Sequence, residues 1–225
     1  VGEDSAAAVL LTHLRANGVG TDAVSTVPGP SGTAVVVVDA AAENAIVVAP
    51  GANSRLTLDS DAARRLITES DVVLMQLEIP LATVLDAARL ARQSGATVML
   101  NASPIPAVVA PLAEIAQLVD VVVVNEDEAA HWQWRVPHLV ITRGSRGASY
   151  IGSERSFDVL APAVDAVDTS GAGDVFAGVL AASWDDEPDR AVRRACAAAA
   201  LATLIPGAGN CAPTERAIAS ATKRG

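Results

Sequence analysis

The spacing of apolar positions changes along the chain, and the change divides it into segments. Val9, Leu10 and Leu14 share one side of a stretch running from Ser5 to Asn17, with Gly18 as a stop, so a helix is expected there. Thr33 to Asp39 (TAVVVVD) and Ala45 to Ala49 are β-branched runs joined by AAEN, an expected antiparallel pair. Pro28, Gly29, Pro30 and Gly32 ahead of them mark a loop, and Gly51 and Asn53 a turn. Beyond residue 59 helix and strand patterns alternate. A helix is expected over Ser60 to Glu69, a strand over Val72 to Gln76, and a helix opened by Pro80 as its first residue and running to Gln93. Further strands are expected at Thr97 to Leu100, Val121 to Val124 and His138 to Thr142, with a helix over Leu112 to Leu118 and an Ala-rich helix over Asp189 to Thr203. Continuous apolar strands spaced by helices imply a parallel sheet covered on both faces. Ligands then belong at the carboxyl ends of the strands.

Composition narrows the function classes. The chain has 225 residues, enough for one α/β domain, and is 51% hydrophobic. A net charge of −10 argues against general binding to nucleic acid or anionic membrane. An acidic protein still binds ATP where magnesium and backbone amides supply the positive field. Cys196 and Cys211 show no CxxC spacing, so reduced thiols in a cytoplasmic protein are expected. There is no apolar run near the ~20 residues of a membrane span.

Chemistry-bearing residues fall at the expected strand ends and at one late turn. In VDTSGAGDVFAGVLAA (Val167 to Ala182) a Gly-Ala-Gly turn enters an apolar helix. Such a turn leaves unpaired N–H groups at the positive end of a helix dipole, which favours an anion. Asp174 follows at once, so an anion cradle (Gly171, Ala172, Gly173) stands beside a carboxylate able to take a hydroxyl proton; an ordinary capped helix is the alternative. Asn125-Glu126-Asp127-Glu128 opens another helix, where residues three apart share a face. Asn125 and Glu128 suit magnesium-bound water beside a triphosphate, although a capped acidic helix start explains the same letters. Trp132 and Trp134 flank a loop that either covers the site or packs inward.

Asp168-Thr169-Ser170-Gly171-Ala172-Gly173-Asp174 closely resembles the signature of the ribokinase-like (PfkB) family of sugar and nucleoside kinases. The NxxE at Asn125 to Glu128 matches that family in order, as does Thr142-Arg143-Gly144-Ser145-Arg146-Gly147, which resembles its TxGxxG nucleotide element. The resemblance implies a three-layer α/β/α sandwich with a mainly parallel sheet and a small β lid at residues 33–50. It further implies ATP-dependent phosphorylation of a sugar, D-ribose first, with Asp174 as general base, and with magnesium and potassium as activators. Another sugar, a nucleoside or a silent nucleotide-binding chain is the alternative. Glu78 in QLEIP resembles the sugar-contacting glutamate, and Asn101 in LNASP lies at a matching crevice position. Asn125, Thr142, Gly144, Gly147 and Gly173 would hold nucleotide, with Cys196 near the adenine. Glu128 would act on magnesium through water, while Asp168, Ser170, Ala202, Gly207 and Cys211 would surround potassium, mostly through carbonyl oxygens. Lid strands pair two subunits in this family, so a homodimer is expected. The family also begins with a strand-rich segment carrying sugar-gripping Asn-x-Asp and Gly-Gly-Lys-Gly-x-Asn elements, whereas VGED matches the middle of its pattern. The interval between Glu128 and Val140 is short for the family.

Overall fold

The computed structural model describes residues 1–38, 44–106, 110–184 and 187–222. Its first helix, α1 (Ser5–Ala16), starts at Asp4, whose Oδ1 accepts from the Ala7 N–H at 2.8 Å. The same carboxylate accepts from Ser31 N (2.7 Å) and Ser31 Oγ (2.9 Å), which fixes the Pro/Gly loop ahead of the lid. The lid is a two-stranded antiparallel sheet of β1 (Thr33–Val38) and β2 (Asn44–Ala49), in register Val35 to Val47. Most of the AAEN joint lies outside the described residues. Val35, Val47 and Val48 of the lid are exposed.

After a 3-10 turn at Gly51–Arg55 the alternating part begins with α2 (Asp61–Glu69), capped by Ser60, and β3 (Val72–Gln76). Next come α3 (Leu81–Ser94), β4 (Thr97–Asn101), α4 (Leu112–Ala116), β5 (Val121–Asn125), α5 (Glu126–Ala129) and β6 (His138–Thr142). Pro80 is the cap of α3 and not its first residue: its φ of −55° is helical but its ψ of 129° is extended, and its carbonyl accepts from Thr83 and Val84. Beyond β6 the chain forms β7 (Ala148–Gly152), β8 (Ser156–Val159), α6 (Ala172–Ala182), α7 (Pro188–Ala202) and α8 (Glu215–Thr222).

The main sheet has six strands in the order β3-β4-β5-β6-β7-β8. β3 to β6 are parallel, as the apolar runs imply, but β7 and β8 extend the sheet antiparallel. ASYIG and SFDV are partly polar because β7 and β8 lie toward the sheet margin, with one face half-solvated. Successive residues of the interior strands serve opposite layers. Val122, Val124 and Leu100 pack with α3 and α4, while Val121, Val123 and Met99 pack with Phe176 and Leu180 of α6 and Ala191, Val192 and Ala195 of α7. The helices thus form the two outer layers of the expected sandwich, and no helix among the described residues is long and apolar enough to cross a membrane.

Candidate active site

A cavity of ≈ 720 Å³ opens at the carboxyl ends of β5 and β6. Its walls are Asn125 to Asp127, the turn Thr142 to Ser145 with Gly147, the chain leaving β8 at Ala161 to Val164, the turn into α6, and one side of α7. Thr142 stands opposite Asn125 in the parallel register, so the two predicted elements are neighbours because their strands are. Asn125, Thr142, Gly144, Gly147, Ala172, Gly173 and Cys196 all line this space.

The turn after β6 is shaped by glycine. Gly144 and Gly147 have φ of +55° and +91°, and Arg143 N donates to Gly147 O at 2.7 Å. The Thr142 hydroxyl donates to Val124 O at 3.3 Å, so its proton already has an acceptor. On α5, Asn125 Oδ1 accepts from Glu128 N and Glu128 Oε2 accepts from Asn125 N, both at 2.8 Å. This is a capping box. It holds the NxxE pair in one conformation and leaves the Asn125 amide NH₂ and Glu128 Oε1 outside that reciprocal bond. Asn125 lines the cavity and Glu128, half-buried, does not.

At the other end, α6 begins from Gly171 at φ +74°. A Cβ at Gly171 would lie 2.9 Å from Ala208 Cα, so the turn needs glycine both for its backbone conformation and for close approach to the tail loop. Ala172 N–H turns to Thr169 O at 3.2 Å. Among the described residues no acceptor meets the Gly171, Gly173 or Asp174 N–H, so of the three expected cradle amides the middle one is engaged. Gly173 faces open space, and Asp174 is solvent-exposed in the first turn of α6.

The tail folds back on this turn. Asp168 Oδ1 accepts from Ser170 N (2.8 Å) and Oδ2 from Gly207 N (2.7 Å). The Gly207 amide first, and the Ser170 amide next, hold the Asp168 carboxyl below the usual carboxylate range. The thiol of Cys211, itself buried, lies 3.2 Å from Ala208 O and 3.9 Å from Ser170 O. Asp168, Ser170, Gly207 and Cys211 are therefore brought together; the carbonyl of Ala202, by contrast, accepts from Ile205 N at 3.2 Å. The donor set is carbonyl and carboxylate oxygen, which suits a hard monovalent cation. No cluster of His, Cys, Asp and Glu suited to a metal occurs among the described residues.

Thr203 O accepts from Val167 N and Asp168 N, so the carboxyl end of α7 meets the glycine turn. Cys196, which lines the cavity, lies about two turns earlier on α7, about 10 Å along the axis. Burial pushes its thiol up to about 12. The two tryptophans pack inward. Trp132 is buried in the α3–α4 layer and its Nε1 donates to Trp134 O at 2.9 Å. Glu78 stands exposed just after β3, on the same edge of the sheet but outside the cavity. Asn101 ends β4 on that edge. Phe176, Ala199, Thr203 and Ala161 to Val164 also line the cavity. Nothing in their residue types marks them out, since a phenylalanine or small residues such as alanine, valine and threonine serve cores and helix ends equally well.

The profile of the pfkB family carbohydrate kinases matches residues 1–215. A ribokinase of Haemophilus influenzae is 31% identical over 239 residues, covering 96% of this chain and 77% of that protein. A bifunctional ribokinase/ribose-5-phosphate isomerase A of Fructilactobacillus sanfranciscensis is 31% identical over 243 residues; there the match takes in 97% of this chain but 44% of the relative's length. Among solved structures, Arabidopsis thaliana ribokinase complexed with ribose and ATP superposes with a TM-score of 0.88 at 25% identity, covering 99% of this chain and 80% of that one.

Proposed function

The chain belongs to the pfkB family of carbohydrate kinases, and from that premise we propose that it transfers the γ-phosphate of ATP to O5 of D-ribose. The observation that carries the reading is the pairing of one cavity with one glycine turn. The ≈ 720 Å³ space is lined by Gly173 and the opening turn of α6 and also by Cys196. A nucleotide triphosphate lying along it has its base against Cys196 and its terminal phosphate at the α6 amides. The Gly171 and Gly173 N–H groups and the helix dipole stabilise the charge on the transferring group.

Asp174 accepts the proton of the sugar hydroxyl as that oxygen bonds to phosphorus. The bond from phosphorus to the bridging oxygen breaks, ADP carries the electron pair away, and the proton on Asp174 passes to solvent. Glu78 accepts hydrogen bonds from sugar hydroxyls. Asn125 and Glu128, already fixed by their reciprocal bonds, fit the water shell of a magnesium ion, which neutralises phosphate charge when bound. Asp168, Ser170, Gly207 and Cys211 would hold a potassium ion, mostly through carbonyl oxygens, and its charge would steady the loop that carries the glycine turn. The exposed valines of β1 and β2 suit a lid that pairs with a second copy, and the cytoplasm suits the substrates.

A coupled ADP-release assay across pentoses, hexoses and nucleosides tests the substrate. Ribose is expected to give the highest kcat/KM; a nucleoside or hexose leading the panel replaces the substrate but keeps the reaction. Asp174→Asn is expected to lower kcat by about 10²–10⁴-fold while ATP still binds. Near-normal turnover in that variant removes the aspartate from its role.

A further inference from the structure

Both arginines of the TRGSRG turn are held by carboxylates, and Arg143 also lines the cavity. Arg143 Nη2 donates to Asp158 Oδ1 at 2.6 Å, and Ser149 Oγ donates to the same oxygen at 2.6 Å. Asp158 lies on β8 directly before Val159, whose chain leads into the cavity wall at Ala161. Arg146 points the other way: its Nη2 donates to both carboxylate oxygens of Glu126, at 2.7 and 2.5 Å. Glu126 belongs to the α5 wall of the cavity. One arginine therefore ties the turn to each neighbouring wall.

We propose that Arg143 is a positioning residue that braces the glycine turn against the β8 wall, with Arg146 a weaker, solvent-exposed tie to the α5 wall, and that the Arg143 brace sets nucleotide affinity. The affinity half rests on the nucleotide reading of the cavity. The two arms differ in kind. Arg146 and Glu126 are exposed on both sides, at 67% and 46%, the class of pair that contributes little and weakens with salt. The Arg143 side chain is 23% exposed, and its Nε is the single buried side-chain N or O without a partner among the described residues. Among the described residues its guanidinium thus has Asp158 as its one hydrogen-bond partner. Loss of Asp158 strands a half-buried charge, whereas loss of both partners does not.

Asp158→Ala is compared with Arg143→Leu and with the double variant, reading amide hydrogen exchange in the absence of nucleotide and MgATP affinity by calorimetry. Amides of residues 143–148 are expected to exchange about tenfold faster in Asp158→Ala, and the MgATP Kd to rise about three- to tenfold, with kcat within about twofold. The double variant is expected to recover part of both losses. Should Asp158→Ala fold poorly, Asp158→Asn, equal in size, carries the same comparison. Unchanged exchange in the turn, or a double variant as impaired as the sum of its parts, overturns the brace. Wild-type protein that binds no MgATP overturns the nucleotide reading and the affinity half, while the exchange arm still decides whether Arg143 holds the turn.

Discussion

Replacing Gly147 by alanine tests how the cavity is held open. Gly147 has φ +91° and ψ −133°, a conformation side chains avoid, and its carbonyl closes the turn by accepting from Arg143 N at 2.7 Å. Forcing alanine into that backbone costs about 1–3 kcal/mol. The new Cβ would also stand 2.0 Å from Val159 O, 2.7 Å from Ala161 N and 2.9 Å from Leu160 C, all backbone atoms. Relieving the closest of these needs a shift of roughly 1 Å where β8 leaves the sheet, and such overpacking costs about 1–3 kcal/mol more. The sum, about 2–6 kcal/mol, corresponds to a fall in Tm of roughly 5–20 °C for a chain of this size. Gly144 is the control. It too has a positive φ, +55°, but a Cβ there would meet nothing within 4 Å, so Gly144→Ala costs about 1–2 kcal/mol. Thermal unfolding by circular dichroism and MgADP calorimetry on both variants decide the matter. Because Val159 to Ala161 runs straight into the cavity wall, Gly147→Ala is also expected to lose most MgADP binding. Equal Tm losses in the two variants, with MgADP affinity retained in Gly147→Ala, would refute the claim that the turn and the β8 exit are locked together by the missing side chain.

The tie between Asp168 and the tail loop is pH-dependent. Amide hydrogen bonds from Gly207 and Ser170 hold this carboxyl below its ordinary 3.8, so its stabilisation is complete above that value and is lost as pH falls through the lower, folded-state pKa. Asp168→Asn is expected to flatten that acid limb of an unfolding titration, and an unaltered limb assigns the acid sensitivity elsewhere. Exchanging potassium for tetramethylammonium is expected to depress turnover, because a large organic cation cannot be wrapped by carbonyl oxygens; identical rates in the two salts argue against a cation among the tail-loop oxygens. Glu78→Gln is expected to raise the sugar KM more than the ATP KM, and the opposite ranking removes Glu78 from the sugar.

The letters alone were enough for whatever is dictated within a few residues. Parallel strands covered by helices on both faces read as apolar runs, so the interior TVML, VVVV and HLVIT announce themselves, and so does VVLMQ at the sheet edge. The capping box of Asn125 and Glu128, and the turn of Gly171 to Asp174, are local too, since their bonds join residues three or four apart. What sequence could not supply is partnership at a distance. β7 and β8 alternate weakly and became strands because β6 offered them an edge. Arg143 could have faced phosphate or solvent, and it is Asp158, fifteen residues on, that claims it. Glu126, twenty residues back, does the same for Arg146. Asp168 meets Gly207 across 39 residues. An ion pair or a buried amide takes whichever partner the packed layers bring within about 3 Å, and that choice is made by the folded chain as a whole.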